Sequence, residues 1–239
     1  RPDGYSLLLH HIGMATTPTL YRRLPYDPVG FETIGLITAA PMTVVVRKDH
    51  PAKTFQELVA WIKAQSKPVN YGSGGVGSIG HIVGEIFKNS YGLKMEHVPY
   101  RGSSPMHTDL LGGTLQFAID TLTQNVPYIK DGKLKGIAVT SRARMALSPD
   151  IPTVGEAGYP KLLAENFLGI SAPAGVSAEV VDRVHKALTE VLARPDIQSR
   201  LADMGVSTQR MSPAEFQAFV AKQVADWAPE VKASGAKLN

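Results

Sequence analysis

The chain has 239 residues, of which 44% are apolar, 19% charged and 7% aromatic, and this composition is ordinary for a globular protein with a sizeable core. The formal net charge is +4 and no Lys/Arg-rich run is present, which argues against a nucleic-acid-binding protein. Cysteine is absent, which excludes disulfides, thiolate metal sites and cysteine nucleophiles. The sequence also has no apolar run of about 18 residues, so it predicts no membrane span.

Strand-like and helix-like segments alternate through the first two thirds of the chain. A capping box, Thr54-x-x-Glu57, predicts the start of one helix, and Ser103-Ser104-Pro105 predicts the start of another that ends at Gly112-Gly113. NVPYIKDG is predicted to form a helical turn. This alternation predicts an α/β fold with a mainly parallel sheet covered by helices. The predicted strands are 5–10, 32–38, 42–47, 69–71, 94–100, 115–120 and 134–140.

The last third of the chain is predicted to be almost entirely helical. Helical patterns cover 177–193 and 195–205, and a capping box at Ser212-Pro213-Ala-Glu215 begins a long third helix. Pro229 is predicted to kink or end that helix. No flexible linker divides the chain, so any two lobes must be joined by ordered strands. The side chains predicted to face inward from the third helix are Phe216, Phe219, Val220 and Trp227.

The segment NYGSGGVGSIGHIVGEIFK, residues 70–88, contains a G-x-G-x-x-G pattern followed directly by an amphipathic helix. Such a turn is suited to binding an anion, because the first N–H groups of a helix lack partners and its dipole is positive there. The anion could be a dinucleotide pyrophosphate, a nucleotide phosphate or something smaller. The helical side chains predicted to share one face are Ile79, Ile82, Val83, Ile86 and Phe87.

Several nucleotide and catalytic interpretations of this loop lack supporting residues. A dinucleotide site needs an acidic residue at the end of the next strand, but Glu96 lies near that strand's beginning, although Arg101 could meet an NADP 2′-phosphate. No Lys-Ser/Thr follows the loop, so it is not a Walker A motif, and neither Ser73 nor Ser78 fits a G-x-S-x-G elbow. His81 is interpreted as a first-turn histidine beside its N-cap.

Metal ligation has little support either. His10 and His11 are adjacent and would point to opposite faces of a strand, and the other histidines show no ligand spacing. Two interpretations of the glycine loop remain open. Either its donors hold a small anion, for which a carboxylate is best suited, or the glycines only permit a tight strand-to-helix turn.

The motifs, taken in order, identify a family. The segment at 70–88, then EHVPYRGSSPMHTDLLGGTLQFAID, KDGKLKGIAVTSRAR, IPTVGEAGYP and GISAPAGV, resembles the periplasmic solute-binding proteins of tripartite tricarboxylate transporters, the TctC-like or Bug proteins. DGYSLLL and LYRRLPYDPV extend the resemblance over essentially the whole chain. The resemblance implies a two-lobed, type II-like periplasmic binding protein that closes on an organic acid. It assigns 1–43 and 166–239 to the first lobe and 44–165 to the second.

The resemblance also implies a ligand site without catalytic residues, cofactor or metal. The family's opening strand and Pro-Gly-Gly loop have no counterpart here, so we expect the first lobe to be incomplete at its N-terminus; the chain starts with Arg1 rather than Met. Asp120 and Thr121 match a strand end facing the cleft, and Arg101 matches a family pattern without a clear role. The implied ligand-binding residues are Ser73, Gly77, Ser78, Asp120, Thr121, Gly13, Met14, Ala15 and Phe167.

The sequence therefore predicts a periplasmic, monomeric receptor for a small organic acid, either a di- or tricarboxylate or an aromatic acid. It would deliver this ligand to the membrane permease of a tripartite transporter, or act as a sensor for a histidine kinase. It would not be an enzyme, because no base-activated nucleophile is apparent. The alternative is an NADP-dependent oxidoreductase that uses the Gly72–Gly77 loop.

Overall fold

The computed structural model describes residues 1–206, 208–235 and 237. In this part of the chain no helix combines the length and the apolar composition that a membrane crossing requires. The strands are β1 (Leu8–His11), β2 (Glu32–Arg47), β3 (Val69–Ser73), β4 (Met95–Pro99), β5 (Phe117–Thr121), β6 (Leu134–Val139) and β7 (Glu165–Ala172). The helices are α1 (Gly13–Leu20), α2 (Phe55–Ala64), α3 (Ile79–Tyr91), α4 (Ser103–Gly112), α5 (Leu122–Lys130), α6 (Ala178–Leu192), α7 (Pro195–Asp203) and α8 (Pro213–Ser234), with a 3-10 helix at Pro160–Leu162.

The chain divides into two compact units. The first comprises Arg1–Ala39 and Asn166–Asn239, and the second comprises Ala40–Glu165. Strand β2 contributes residues to both units, because the division falls within it. Whether these units act as the two lobes of a ligand trap, as the resemblance implies, stays a prediction.

Strand β2 differs from the sequence-based prediction, which placed separate strands at 32–38 and 42–47. The structure shows one strand of 16 residues that continues through Pro41. Proline predicts a break because it has no N–H to donate to a sheet. The next residue keeps its pairing: Met42 N donates to Thr140 Oγ1 at 2.8 Å, and Thr140 N donates to Met42 O at 2.9 Å.

The sheet of the first unit contains an antiparallel pair of strands. β1 pairs antiparallel with β7, from Leu8 opposite Ser171 to His11 opposite Leu168, and β7 is next to β2. The predicted strand at 5–10 therefore begins later, at Leu8. His10 is buried and His11 is exposed, as alternation along a strand requires.

The second unit confirms the α/β alternation but corrects the expected mainly parallel pairing. Its strand order is β4-β3-β5-β2-β6. β3 is parallel to β4 and to β5, whereas β2 is antiparallel to both β5 and β6. Strands β3 to β6 therefore run in the same direction, as β-α units predict, and the pairing is mixed because β2 lies between β5 and β6 with the opposite direction.

The predicted helix starts are mostly confirmed. Ser212 and Glu215 form the complete capping box at the start of α8. Thr54 caps α2 by accepting from Glu57 N, but the Glu57 carboxylate accepts from Lys53 N, so this box is not reciprocal. Pro229 does not end α8, because the helix continues to Ser234. The buried side chains of Trp227 and Val231 lie on either side of this proline and hold both halves of the helix to the core.

Candidate functional site

Three helices begin at one edge of the sheet in the second unit. β3 leads into α3 with Ser78 as N-cap, β4 into α4 with Gly102, and β5 into α5 with Thr121. Because β3 is parallel to β4 and β5, all three helices begin at the carboxyl ends of the strands, where ligands bind in open α/β sheets. Neither Gly102 nor Thr121 makes a side-chain cap. We call this region the strand-end edge; three positive helix ends favour an anion there.

The glycine loop between β3 and α3 is held closely against the chain that follows β4. Tyr100 N donates to Ser73 O and Gly102 N donates to Gly74 O, both at 3.2 Å. Gly75 has a φ of 136°, and a Cβ there would lie 3.0 Å from Tyr100 O. Gly77 has a φ of 78°. The loop therefore requires glycine at both positions for backbone conformation, and at Gly75 also for the close approach to Tyr100.

Helix α3 lies directly on the sheet because of two glycines inside it. A Cβ at Gly80 would lie 2.2 Å from Ile119 O, and a Cβ at Gly84 would lie 2.1 Å from the ring of Tyr71. This contact places the N-terminus of α3 beside the end of β5. The predicted apolar face is buried, and Gly80, Gly84 and Glu85 are buried as well, so the helix is enclosed on more than one face.

Ser78 and Ser73 are joined by a hydrogen bond below the glycine loop. Ser78 Oγ accepts from His81 N at 3.3 Å, which caps α3, and donates to Ser73 Oγ at 3.1 Å. Ser73 is fully buried, and its Oγ also lies 3.2 Å from Gly75 O, 3.3 Å from Gly75 N and 2.7 Å from His97 Nε2. The buried Ser73 hydroxyl therefore stabilises the loop through its hydrogen bonds, whereas Ser78 is only partly buried.

Two histidines lie next to these serines, and the sequence identified only one of them. The rings of His81 and His97 stack with centroids 3.9 Å apart. Burial and the neighbouring His81 lower the pKa of His97 to about 3, and burial lowers the pKa of His81. Both rings are therefore neutral near pH 7. His81 Nδ1 accepts from Gly77 N at 3.1 Å, so this donor of the loop is already engaged. No sequence signal marked His97, which reaches Ser73 only because β4 pairs with β3.

Asp120 and Thr121, at the end of β5, lie at the same edge of the sheet as the glycine loop. Burial raises the pKa of the Asp120 carboxyl group, against the opposing effect of a hydrogen bond with Ser103. Asn125 Nδ2 donates to the carbonyl oxygens of both residues, at 3.3 and 3.1 Å. His107 Nε2 lies 2.9 Å from Asn125 Oδ1. The structure therefore brings Ser73, Gly77, Ser78, Asp120 and Thr121 to one edge of one unit.

The four predicted site residues of the first unit occupy different surroundings. Gly13, Met14 and Ala15 form the first turn of α1 rather than an open turn, and Met14 and Ala15 are buried. Phe167 in β7 is 1% exposed and has its ring among His10, Phe216 and Phe219. Phe167 is thus a core residue of this unit. A role in ligand binding for any of the four stays a prediction.

No cluster of His, Asp or Glu among the described residues has the arrangement of a metal site. Arg101, the residue that could meet an NADP phosphate, is exposed and follows β4. The adjacent Tyr100 donates from its hydroxyl to Asp109 Oδ2 at 2.7 Å.

Comparison with known proteins decides the family. A profile described as "Tripartite tricarboxylate transporter family receptor" matches residues 1–236. The chain belongs to this receptor family. The UPF0065 protein in the TAR-I ttuE-ttuC' intergenic region of Agrobacterium vitis is 39% identical over 205 residues, which cover 85% of this chain and 59% of that relative. The chain thus spans less than two thirds of the length of this receptor-family relative.

Solved structures of similar proteins confirm the fold. The periplasmic binding protein BugD is 35% identical, with a TM-score of 0.88 over 99% of this chain and 80% of that one. R. palustris Rpa4515 with adipate is 29% identical, with a TM-score of 0.90 over 98% of this chain and 79% of that one. The predicted resemblance to TctC-like and Bug proteins, and the predicted α/β fold of a type II-like periplasmic binding protein, are both confirmed for this member of the receptor family.

Proposed function

We propose that this protein is a periplasmic receptor that captures a small organic carboxylate at the strand-end edge and delivers it to the permease of a tripartite transporter. The observation that carries this proposal is the meeting of the α3, α4 and α5 N-termini at one edge of the sheet. Each helix end favours negative charge, and unpaired first-turn N–H groups can bind carboxylate oxygens. Membership of the receptor family supports the same ligand class.

The geometry of the glycine loop favours a carboxylate over a dinucleotide. A pyrophosphate needs several loop N–H groups and a close backbone approach. Here Gly77 N donates to His81, and the loop is held against Tyr100 and Gly102. The partly buried Ser78 hydroxyl remains adaptable, because its hydrogen can turn from Ser73 to a ligand oxygen while its lone pair still caps α3.

The receptor proposal includes no chemical step. The family and the similar structures are solute-binding proteins, and binding followed by release is sufficient for delivery. Ser78 and the helix ends would bind the carboxylate, while Ser73 would position Ser78. The family description supports delivery to a permease rather than to a sensor kinase. This is tested by whether deletion of the matching permease abolishes uptake of the ligand.

A thermal-shift screen followed by calorimetry tests ligand binding. The purified protein is titrated with mono-, di-, tri- and aromatic carboxylates, and with NADPH as the alternative ligand. A bound acid at one hundred times its Kd should stabilise the folded protein by about 2.7 kcal/mol, which raises the melting temperature by several degrees. A response to NADPH with no response to any acid would contradict the proposal and favour an oxidoreductase.

A further inference from the structure

Two buried oxygen atoms at the strand-end edge have no hydrogen-bond partner among the residues that the structure describes. They are Asp120 Oδ2 and Thr43 Oγ1. Asp120 is 7% exposed and Thr43 is fully buried. A buried polar atom without a partner costs free energy, and the few found in native proteins call for a specific explanation such as a missing water or ligand.

The two atoms belong to directly opposed residues. Thr43 on β2 is the register partner of Asp120 on β5, so both side chains stand on the same face of the sheet, with Cβ atoms about 5 Å apart for such a pair. Two residues further along, Val45 and Ala118 are also opposed, and both pack with Met106 of α4. Asp120 and Thr43 therefore lie on the α4 face of the sheet, where α4 begins.

Hydrogen bonds fix the Asp120 carboxyl group in position, but its Oδ2 atom can still accept a further hydrogen bond. Ser103, the first residue of α4, and the backbone of Thr121 both hydrogen-bond to it. Burial raises the pKa of this carboxyl group, whereas these bonds and the positive end of α4 favour the carboxylate form, which only accepts hydrogen bonds. The Thr43 hydroxyl can accept one as well. A single N–H or O–H group placed between the two atoms would satisfy both.

We propose that Asp120 and Thr43 form a subsite for a hydrogen-bond donor on the ligand, so that the preferred acid carries an ammonium or hydroxyl substituent in addition to its carboxylate. This inference rests on the proposed function, because it assumes that an acid binds at the strand-end edge. α3 is seated against the Ile119 carbonyl, so its anion-binding end lies beside the residue that precedes Asp120 in the chain. The carboxylate of the ligand would then bind at the N-terminus of α3 and its donor at Asp120 and Thr43, both at the strand-end edge.

The test uses matched acids that differ in the donor: succinate against malate and aspartate, tricarballylate against citrate, and phenylacetate against mandelate. Calorimetry on the parent protein should show at least tenfold tighter binding of a donor-bearing acid than of its unsubstituted partner, since a site built for a donor rejects an analogue without it. The malate and aspartate titrations distinguish a hydroxyl from an ammonium ligand.

Two variants localise the preference. Thr43→Val has the same shape without the hydroxyl, and Asp120→Asn removes the charge while keeping the size of the side chain. Each should reduce the preference to less than threefold by weakening binding of the donor-bearing acid. Circular dichroism confirms folding, and Thr43→Val provides the test if Asp120→Asn does not fold.

The outcomes separate the two proposals. Equal binding of the paired acids by the parent, or an unchanged preference in a folded Thr43→Val variant, would overturn the donor subsite and leave the carboxylate receptor intact; a buried water would then satisfy the two atoms. Failure of every acid to bind would overturn the proposed function, and the subsite with it.

Discussion

His97 Nε2 lies 2.7 Å from Ser73 Oγ, and the ring of His97 stacks on that of His81 at an interplanar angle of 19°. These two contacts connect the glycine loop, which follows β3, to β4, the strand that carries His97 and pairs parallel with β3. Since Ser73 Oγ can give its single hydrogen to a neutral His97, its lone pairs remain available to Gly75 N and Ser78 Oγ. A protonated His97 could not accept this hydrogen.

We predict that stability falls as the pH drops from about 6.5 towards 3. Unfolded histidine binds a proton near pH 6.5, whereas folded His97 does so only near 3, so the unfolded state binds more protons between these values. Lys88 lowers the pKa of both stacked histidines, while Glu85 raises that of His81. Allowing for partial exposure, we expect a loss on the order of 1 kcal/mol for His97 between pH 7 and 5.

Urea denaturation across this pH range measures the effect, with His97→Gln as the matched control. Glutamine can still hydrogen-bond to Ser73 but does not titrate here. The variant should therefore lose less stability on acidification than the parent. Burial of His10 lowers its pKa to about 4, and this contribution stays in both proteins. Identical pH profiles for the two proteins would contradict the prediction.

Ser78 has a structural role and a proposed binding role that substitution can separate. Ser78→Asp retains a good N-cap, so its melting temperature should stay near that of the parent, but its charge should weaken acid binding at least a hundredfold. Ser78→Gly should cost a few tenths of a kcal/mol in stability and about tenfold in affinity. Calorimetry and thermal melts decide this. Parent-like affinity in the aspartate variant would show that the loop is only a turn.

Gly84→Ala should destabilise the protein by about 3 kcal/mol, because the new Cβ would lie 2.1 Å from the Tyr71 ring and α3 would have to move away from the sheet. Gly112→Ala is the matched control. This glycine also lies in a helix, but it is exposed, and an added Cβ would meet nothing within 4 Å. The control should be neutral or gain about 0.5–1 kcal/mol. Equal denaturation midpoints for the two variants would refute the close packing of α3.

Tyr71→Phe should destabilise the protein by about 1–3 kcal/mol. The Tyr71 hydroxyl lies 2.9 Å from Glu85 Oε1, and Glu85 is only 5% exposed, so the variant leaves a buried carboxylate oxygen without this donor. Lys88 contacts the other oxygen and would remain. A double-mutant cycle with Glu85→Leu, which removes the accepting oxygen, measures the coupling between the two side chains. A coupling near zero would show that this hydrogen bond contributes nothing to stability.

The local features of the sequence predicted most of the fold. The strand and helix alternation, the N-caps at Ser78 and Ser212, and the turn at Gly113 are set by short-range chemistry and were readable. The insertion of β2 between β5 and β6 was not readable, because it depends on pairing between distant segments. The predicted break between two strands at Pro41 was also wrong, because one proline inside a long buried strand has the same sequence pattern as a break.

The candidate site was only partly readable for the same reason. The glycine loop indicated the N-terminus of α3, and the family resemblance added Asp120 and Thr121. His97 and Thr43 were missed because they reach the site through strand pairing rather than through a motif. Phe167 was predicted at the site from the resemblance alone, and the structure places its side chain in the aromatic core of the first unit.

The exposed tip of the glycine loop offers a place for a reporter. Val76 is 42% exposed and lies between Gly75 and Gly77, next to the N-terminus of α3. Because the chain contains no cysteine, Val76→Cys would introduce a unique thiol. An environment-sensitive fluorophore attached there would lie within a few residues of the proposed carboxylate contacts. A change in its fluorescence on addition of metabolite mixtures would then identify mixtures that contain the natural ligand.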